Sequence, residues 1–399
     1  MGAFQNIDKI MILGAGIYQV PLIRKAKELG LKTIVTSIAG DYPGIKEADV
    51  FYAIDTTDQI KILEIAEKEK ISAIVTAGTD VALQTLAFVA DKLGLAGISV
   101  ESSLLSTNKV MMKQAFKQAG VQTADFRIVQ TLAETITATE ELGFPCMVKC
   151  PDSSGSRGIT KVKGVSEVEQ AFHYAQEVAR GDLIIVEEFI EGHEIGVDGY
   201  FGDQNNHFIY PHDKLTYSTA YTNIPLGHVF PYDADQTVRS EIELQMIKAL
   251  KALGLKNTFF NSDVLINEKG VFIIEIGARS GATCIPELIS YHYGIDYYEQ
   301  IIRRSLGQTV TLSNEHRADA CISNLLYSEK TGIITGIVNE ADDLDYVIES
   351  QVDYSVGDSV NEFFSGNYRI GHVVVSGTDI NNAKQNLELA LDKIKIIVE

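Results

Sequence analysis

Three times in the first hundred residues a short apolar run ends at a small residue and gives way to a helical pattern. Residues 10–13 run into Gly14-Ala15-Gly16 and then a helical stretch closed by Gly30. Residues 33–36 repeat the strand signal ahead of a helix over about 57–70, and residues 73–76 lead through Gly78 to a helix over 81–93 stopped by Gly94. Strand and helix in strict alternation demand a parallel sheet with helices on both faces, an α/β layer of Rossmann-like type. Ligands of such sheets sit at the carboxyl ends of the strands, here marked by Gly14, Ser37 and Gly78. The chain has 399 residues, too many for one ordinary core, so one or two further domains follow.

Asn108 and Lys109 open an amphipathic helix, with Ser106 or Thr107 as its cap, apolar positions Met112, Ala115, Phe116 and Ala119, and a stop at Gly120. From Phe126 to about Gly307 the pattern turns to strands, hairpins and isolated helices, an α+β arrangement. The last ninety residues carry β-like segments, the glycines Gly357, Gly366 and Gly371, and a final helix near 381–395. A formal charge of -20 argues against a nucleic-acid binder, which needs the opposite balance. No apolar run approaches the roughly 18 residues of a membrane span, and residues 1–8 lack a signal-peptide layout. Cys146, Cys150, Cys284 and Cys321 form no C-x-x-C pair, which fits reduced thiols in a cytoplasmic protein.

Three motifs could carry chemistry. Gly14-Ala15-Gly16 lacks the third glycine of a dinucleotide fingerprint, since Gln19 stands there, Pro21 follows early, and no acid ends a strand about 20 residues on. It reads as a tight turn. The second motif is a strand ending in Lys149, followed by Ser153-Ser154-Gly155-Ser156-Arg157-Gly158. Backbone N–H groups of such a loop can approach phosphate oxygens, with Lys149 and Arg157 adding charge, although a plain hairpin turn has the same composition. The third is a pair of strands, 259–266 and 271–276. With a three-residue loop Glu268-Lys269-Gly270, Asn267 pairs with Val271, Asp263 faces Glu275 and Asn261 faces Gly277. Facing carboxylates require a cation between them, and Mg²⁺ suits two carboxylates that share it with phosphate oxygens. Arg279 follows on the same face, four residues beyond Glu275.

Taken in order, Lys109, Lys149 with its glycine loop, Val186-Glu187-Glu188-Phe189-Ile190-Glu191-Gly192-His193-Glu194, and Asp263 with Glu275-Ile276-Gly277-Ala278-Arg279 resemble the ATP-grasp carboxylate–amine ligases. The tail from Arg317 is similar to the L-amino acid ligase branch. The resemblance implies a pre-ATP-grasp domain over 1–105, an ATP-grasp domain over 106–305 with a mobile lid at about 121–186, and a small α+β C-terminal domain over 306–399. It implies that Lys109 and Lys149 touch the ATP phosphates while Ser153, Ser154, Gly155, Ser156 and Gly158 close over them. Glu187 and the main chain of Glu188 and Ile190, with Phe189 between, would hold adenine, and Glu194 the ribose. Asp263 and Glu275 would hold one or two Mg²⁺, and Arg279, with Lys149, would stabilise the transferred phosphoryl group.

Many family members carry Asn where this chain has Gly277, and Asn261 is expected to supply the missing metal oxygen. His228 and Asp80 are the expected substrate contacts, Asp80 being equally readable as a helix cap. The implied reaction is ATP-dependent amide formation through an acyl phosphate, with an amino acid as the carboxylate and a homodimer as the assembly. Carboxylation through carboxyphosphate and a catalytically inactive ATP-binding protein are the alternatives.

Overall fold

The computed structural model describes residues 8–152, 157–203, 206–218 and 223–399. The front sheet is all-parallel, built from β1 (Lys9–Leu13), β2 (Lys32–Ser37), β3 (Val50–Ala53) and β4 (Ala73–Val75) in the order β3-β2-β1-β4. Its strands are connected by α1 (Val20–Glu28), α2 (Pro43–Glu47) and α3 (Gln59–Glu69), and α4 (Leu83–Leu93) follows β4. Burial on both faces explains why β1 reads as an unbroken apolar run: Ile10 and Ile12 face one core, Met11 and Leu13 another. The sequence reading missed β3, an edge strand whose residues stay half-exposed and so leave little apolar signal.

Next come α5 (Val100–Thr107) and α6 (Lys109–Ala119). Asn108, rather than Ser106 or Thr107, caps α6, because those two residues finish α5; the Asn108 side chain accepts from the Met111 N–H at 3.0 Å. A separate antiparallel sheet follows, ordered β5-β8-β6-β7, from β5 (Phe126–Val129), β6 (Cys146–Lys149), β7 (Ile159–Val162) and β8 (Ile184–Glu188). With α7 (Leu132–Leu142) and α8 (Val168–Val178) it has its own core around Val148, Phe172 and Val186.

The largest sheet has eight strands. Its first five strands are β9 (His193–Phe201), β10 (His207–Ser218), β11 (Asn223–Phe230), β12 (Thr258–Asn267) and β13 (Gly270–Gly277), backed by α9 (Gln236–Ala252). α10 (Ile285–Tyr293) and α11 (Tyr297–Ser305) pack against the front sheet, joining the two layers through one core. The tail supplies β14 (Ala320–Leu326), β15 (Gly332–Asn339), β16 (Val347–Val352), β17 (Ser359–Val360), β18 (Gly371–Gly377), α12 (Ile380–Asp392) and β19 (Ile394–Val398). Pairing of β11 with β14 at Val229↔Ile322 and Phe230↔Cys321 carries the sheet on as β13-β12-β9-β10-β11-β14-β18-β16. The final helix ends before 395, because Ile394 onward leaves to pair with β15. The four cysteines are free and buried, and no helix of the described residues is long and apolar enough to cross a membrane.

Candidate active site

The β12–β13 hairpin sets the geometry. Asp263 pairs with Glu275 and Asn261 with Gly277, as the sequence reading expects, but the path differs. Asn267 pairs with Gly270 across a two-residue turn, and a bulge between Asp263 and Val264 then restores the expected register. The carboxylates face each other because a shorter turn and an extra residue cancel. The alternate residues Phe260, Ser262 and Val264 are buried, while Asn261 and Asp263 lie on the accessible face.

β9 extends this pattern, with Gly196 beside Asp263 and Asp198 beside Asn261. β10 then brings Lys214, whose Nζ donates to Asp263 Oδ1 at 2.5 Å and to Glu194 Oε1 at 2.8 Å. On the other side Lys109 Nζ lies 3.2 Å from Glu275 Oε2. The Lys109 charge holds the Glu275 carboxyl down to about 2. Asp263 behaves oppositely: burial, with Glu194 and Glu275 nearby, pushes its carboxyl above the usual range despite Lys214. Both side chains retain some exposure, 34 and 40%, because they form the floor of an open cleft. Three carboxylates thus crowd around two lysines, a donor set that fits a divalent cation held by Asp263 and Glu275.

Arg279 follows β13 and is gripped at both ends. Its Nη2 donates to Asp80 Oδ2 at 2.8 Å and its Nη1 to Asn261 Oδ1 at 2.9 Å. Asn261 turns its amide nitrogen to Asp198 Oδ2 at 2.7 Å. The oxygen expected to serve a metal is therefore engaged with the arginine. Asp80 makes no side-chain cap to α4 and instead lines the cleft beside Arg279. Three buried polar atoms here have no partner among the described residues: Arg279 Nε, Asp80 Oδ1 and Ser280 Oγ. Buried polar atoms left this way call for a ligand or ordered water.

On the neighbouring sheet, Lys149 Nζ donates to Glu187 Oε2 at 2.8 Å. Lys113, fully buried and absent from the sequence reading, lies 3.5 Å from the same oxygen and donates to Thr123 Oγ1 at 2.6 Å. Glu187 is 2% exposed; burial raises its carboxyl, and Lys113 and Lys149 more than offset this, leaving it below the ordinary range. Nearby, Lys161 Nζ stands 3.4 Å above the Phe189 ring, the Glu188 N–H donates to Asp125 O, and Ile190 is buried with Phe272. The loop residues Ser153, Ser154, Gly155 and Ser156 lie outside the described residues. Gly158, the last residue of that loop, has φ +66° and packs against Cys150.

These elements surround a cleft of about 330 Å³ lined by Asp80, Lys109, Asp263, Glu275 and Arg279 together with Asp152 and Arg180. His228 is not among the lining residues. It is 3% exposed, its ring set edge-on to His212 at 4.6 Å, and burial pushes its imidazole well below the usual range. The His228 ring is thus packed inside the sheet and not, as expected from the sequence, on the wall of this cleft. Conversely, Asp198 went unread although Glu194, Gly196 and Asp198 share one sheet face by simple alternation.

A model of the ATP-grasp domain matches residues 142–287, and one of the L-amino acid ligase C-terminal domain 2 matches residues 324–399. The crystal structure of phosphoribosylglycinamide synthetase from Anaerococcus prevotii is 30% identical, with a TM-score of 0.83 over 98% of this chain and 100% of that one. The chain belongs to the ATP-grasp superfamily. The formate-dependent phosphoribosylglycinamide formyltransferase of Wolinella succinogenes is 28% identical to this ATP-grasp ligase over 301 residues, 72% of the chain and 74% of the relative. The L-amino acid ligase of Bacillus licheniformis, at 18% identity, shares the fold with a TM-score of 0.82 over 98% of this chain and 99% of its own. The protein is thus an ATP-dependent ligase of the ADP-forming kind.

Proposed function

We propose that this ligase transfers the terminal phosphoryl group of ATP to an amino-acid carboxylate, and that an amine then displaces phosphate to leave an amide. The first step breaks the bond between the terminal phosphorus and its bridging oxygen, releasing ADP. The second breaks the acyl–oxygen bond as the amine nitrogen bonds to carbon and loses its proton. The observation that carries this reading is the convergence of Asp263, Glu275, Lys109 and Arg279 on one cleft, with the Arg279 Nε–H left without a partner among the described residues. Phosphoryl transfer needs positioned charge more than a nucleophilic side chain.

Asp263 and Glu275 would hold one or two Mg²⁺, which when bound neutralise phosphate charge. Lys109 and Lys149 bind phosphate oxygens, the 153–158 loop covers them, and Glu187, Glu188, Phe189 and Ile190 frame the adenine, with Glu194 at the ribose. Asp80 faces the substrate side, where an acid suits the amine. The layer spanning β5 to β8 closes as a lid over the cleft and excludes water, which would otherwise hydrolyse an acyl phosphate.

The match of residues 324–399 to the L-amino acid ligase tail supports an amino acid as the carboxylate. The formyltransferase relative is named for formate, so formate is the second carboxylate to try. The test is ADP release with mass spectrometry of products from ATP, Mg²⁺ and pooled amino acids, with formate and bicarbonate as separate arms. Amide products from the pool support the reading. Release driven only by formate or only by bicarbonate replaces the amino acid, and no release in any arm overturns the ligase chemistry.

A further inference from the structure

We propose that Asp80 and Asp198 are positioning residues that hold Arg279 from opposite sides, and that residue 277 is glycine so that Asp80 can reach it. The inference rests on the phosphoryl-transfer role proposed above for Arg279. Its Nη2 donates to Asp80 and its Nη1 to Asn261 and, at 3.3 Å, to the Ser280 carbonyl, while the buried Nε–H has no partner among the described residues. The Asn261 amide is itself fixed by Asp198, which lies beside it in the sheet. The second Asp198 oxygen accepts the Gly281 N–H at 2.7 Å, tying down the backbone two residues past Arg279. Asp198 is wholly buried and also meets His212 Nε2 at 3.1 Å, so it braces the arginine from inside the sheet.

Asp80 arrives from another layer, in the turn between β4 and α4, 199 residues away in sequence. Its approach depends on Gly277. A Cβ built there would lie 2.5 Å from Asp80 Oδ1 and 3.3 Å from the Arg279 guanidinium carbon. Gly277 is not among the glycines with positive φ, so its backbone suits any residue. Space, not conformation, is what excludes a side chain. The atom struck is the end of a side chain, so a substitution at 277 pushes the Asp80 carboxylate off Arg279 and leaves the backbone in place. In this chain the position facing Asn261 is therefore given up to an acid from the front layer.

The test compares Gly277→Ala, Asp80→Ala, their double variant and Asp198→Asn, reading kcat, KM for ATP, ATP affinity at equilibrium and thermal unfolding. Each single variant should lose kcat by about 10- to 100-fold, the scale of a misplaced reacting group, while ATP affinity stays within about twofold. The double variant should fall within about twofold of Asp80→Ala alone, because both changes remove one contact. Multiplying losses in the double variant, or wild-type kcat in Gly277→Ala or Asp80→Ala, overturn the glycine–aspartate unit, and wild-type kcat in Asp198→Asn overturns the inner brace. A crystal structure of Gly277→Ala gives an answer independent of turnover: Asp80 displaced from Arg279 supports the proposal, and the pair intact defeats it. If the wild type releases no ADP with any carboxylate, the functional reading fails while that structure still decides this one.

Discussion

At the carboxyl end of β1 the room left by Gly14 is filled by the chain's own Gln19, whereas at the end of β13 the room left by Gly277 is taken by Asp80 from a different layer. In the first case Gln19 Oε1 accepts the Gly16 N–H at 2.9 Å and its Nε2 donates to Ala77 O at 2.5 Å. The turn satisfies itself with a buried side chain only a few residues away, and the place where a dinucleotide's phosphates would approach is already occupied. In the second case the incoming group carries charge, meets Arg279, and leaves Asp80 Oδ1 and Arg279 Nε without a partner among the described residues. A gap closed locally makes structure; a gap closed from afar, with polar atoms to spare, makes a site.

That contrast can be broken in four places. The largest effect is expected at Arg279: replacement by Ala should cut turnover on the order of 1000-fold, as loss of a charge-stabilising donor does, with ATP affinity nearly unchanged. Steady-state kinetics beside equilibrium ATP binding checks this, and near-normal turnover removes Arg279 from the chemistry. Next, Glu275→Gln should raise the Mg²⁺ needed for half-maximal turnover by roughly 10- to 100-fold, read from a Mg²⁺ titration at saturating ATP. An unchanged midpoint means that Glu275 holds no metal.

Substitutions at the front turn should touch stability alone. Gly14 has φ +105°, and an added Cβ would lie 2.9 Å from Gln19 Oε1. Gly14→Ala should cost about 1–3 kcal/mol in urea unfolding, the scale of a strained backbone position, while kcat per folded molecule is kept. A lost kcat with intact stability would make that turn part of the site after all.

The smallest effect concerns acid. Because the folded-state carboxyl of Glu187 lies below its ordinary value of 4.5, its contribution to stability is complete above that pH and fades as pH falls below it. Wild type should therefore lose stability more steeply than Glu187→Gln as pH drops from about 5 toward 3. Parallel curves would mean that Lys113 and Lys149 do not hold this carboxylate charged.

The β12–β13 hairpin was legible because its signal is local. Alternation puts Asn261, Asp263, Glu275 and Gly277 on one face whatever the rest of the molecule does, so the pairing survived a misread turn. Asp198 obeys the same alternation two strands from Gly277 and was readable in principle. Lys113 was not, since a lysine on an amphipathic helix ordinarily faces water, and only the packing of α6 against β8 shows its charge to be needed inside. His228 is a related case. Its place in the sequence says nothing of which sheet face or which neighbour covers it.

The sequence by itself determined the layers of this protein, the facing carboxylates and the order of the lysine-bearing motifs, because strand period, turn residues and motif spacing act over a few residues. The tertiary structure decided which partner each charge meets. Asp80 joins Arg279 instead of capping α4, Lys214 joins Asp263 across three strands, and the tail extends the central sheet instead of standing apart. Those choices depend on how separately formed layers pack, and the energy of a buried ion pair or a filled gap exists only once both sides are in contact.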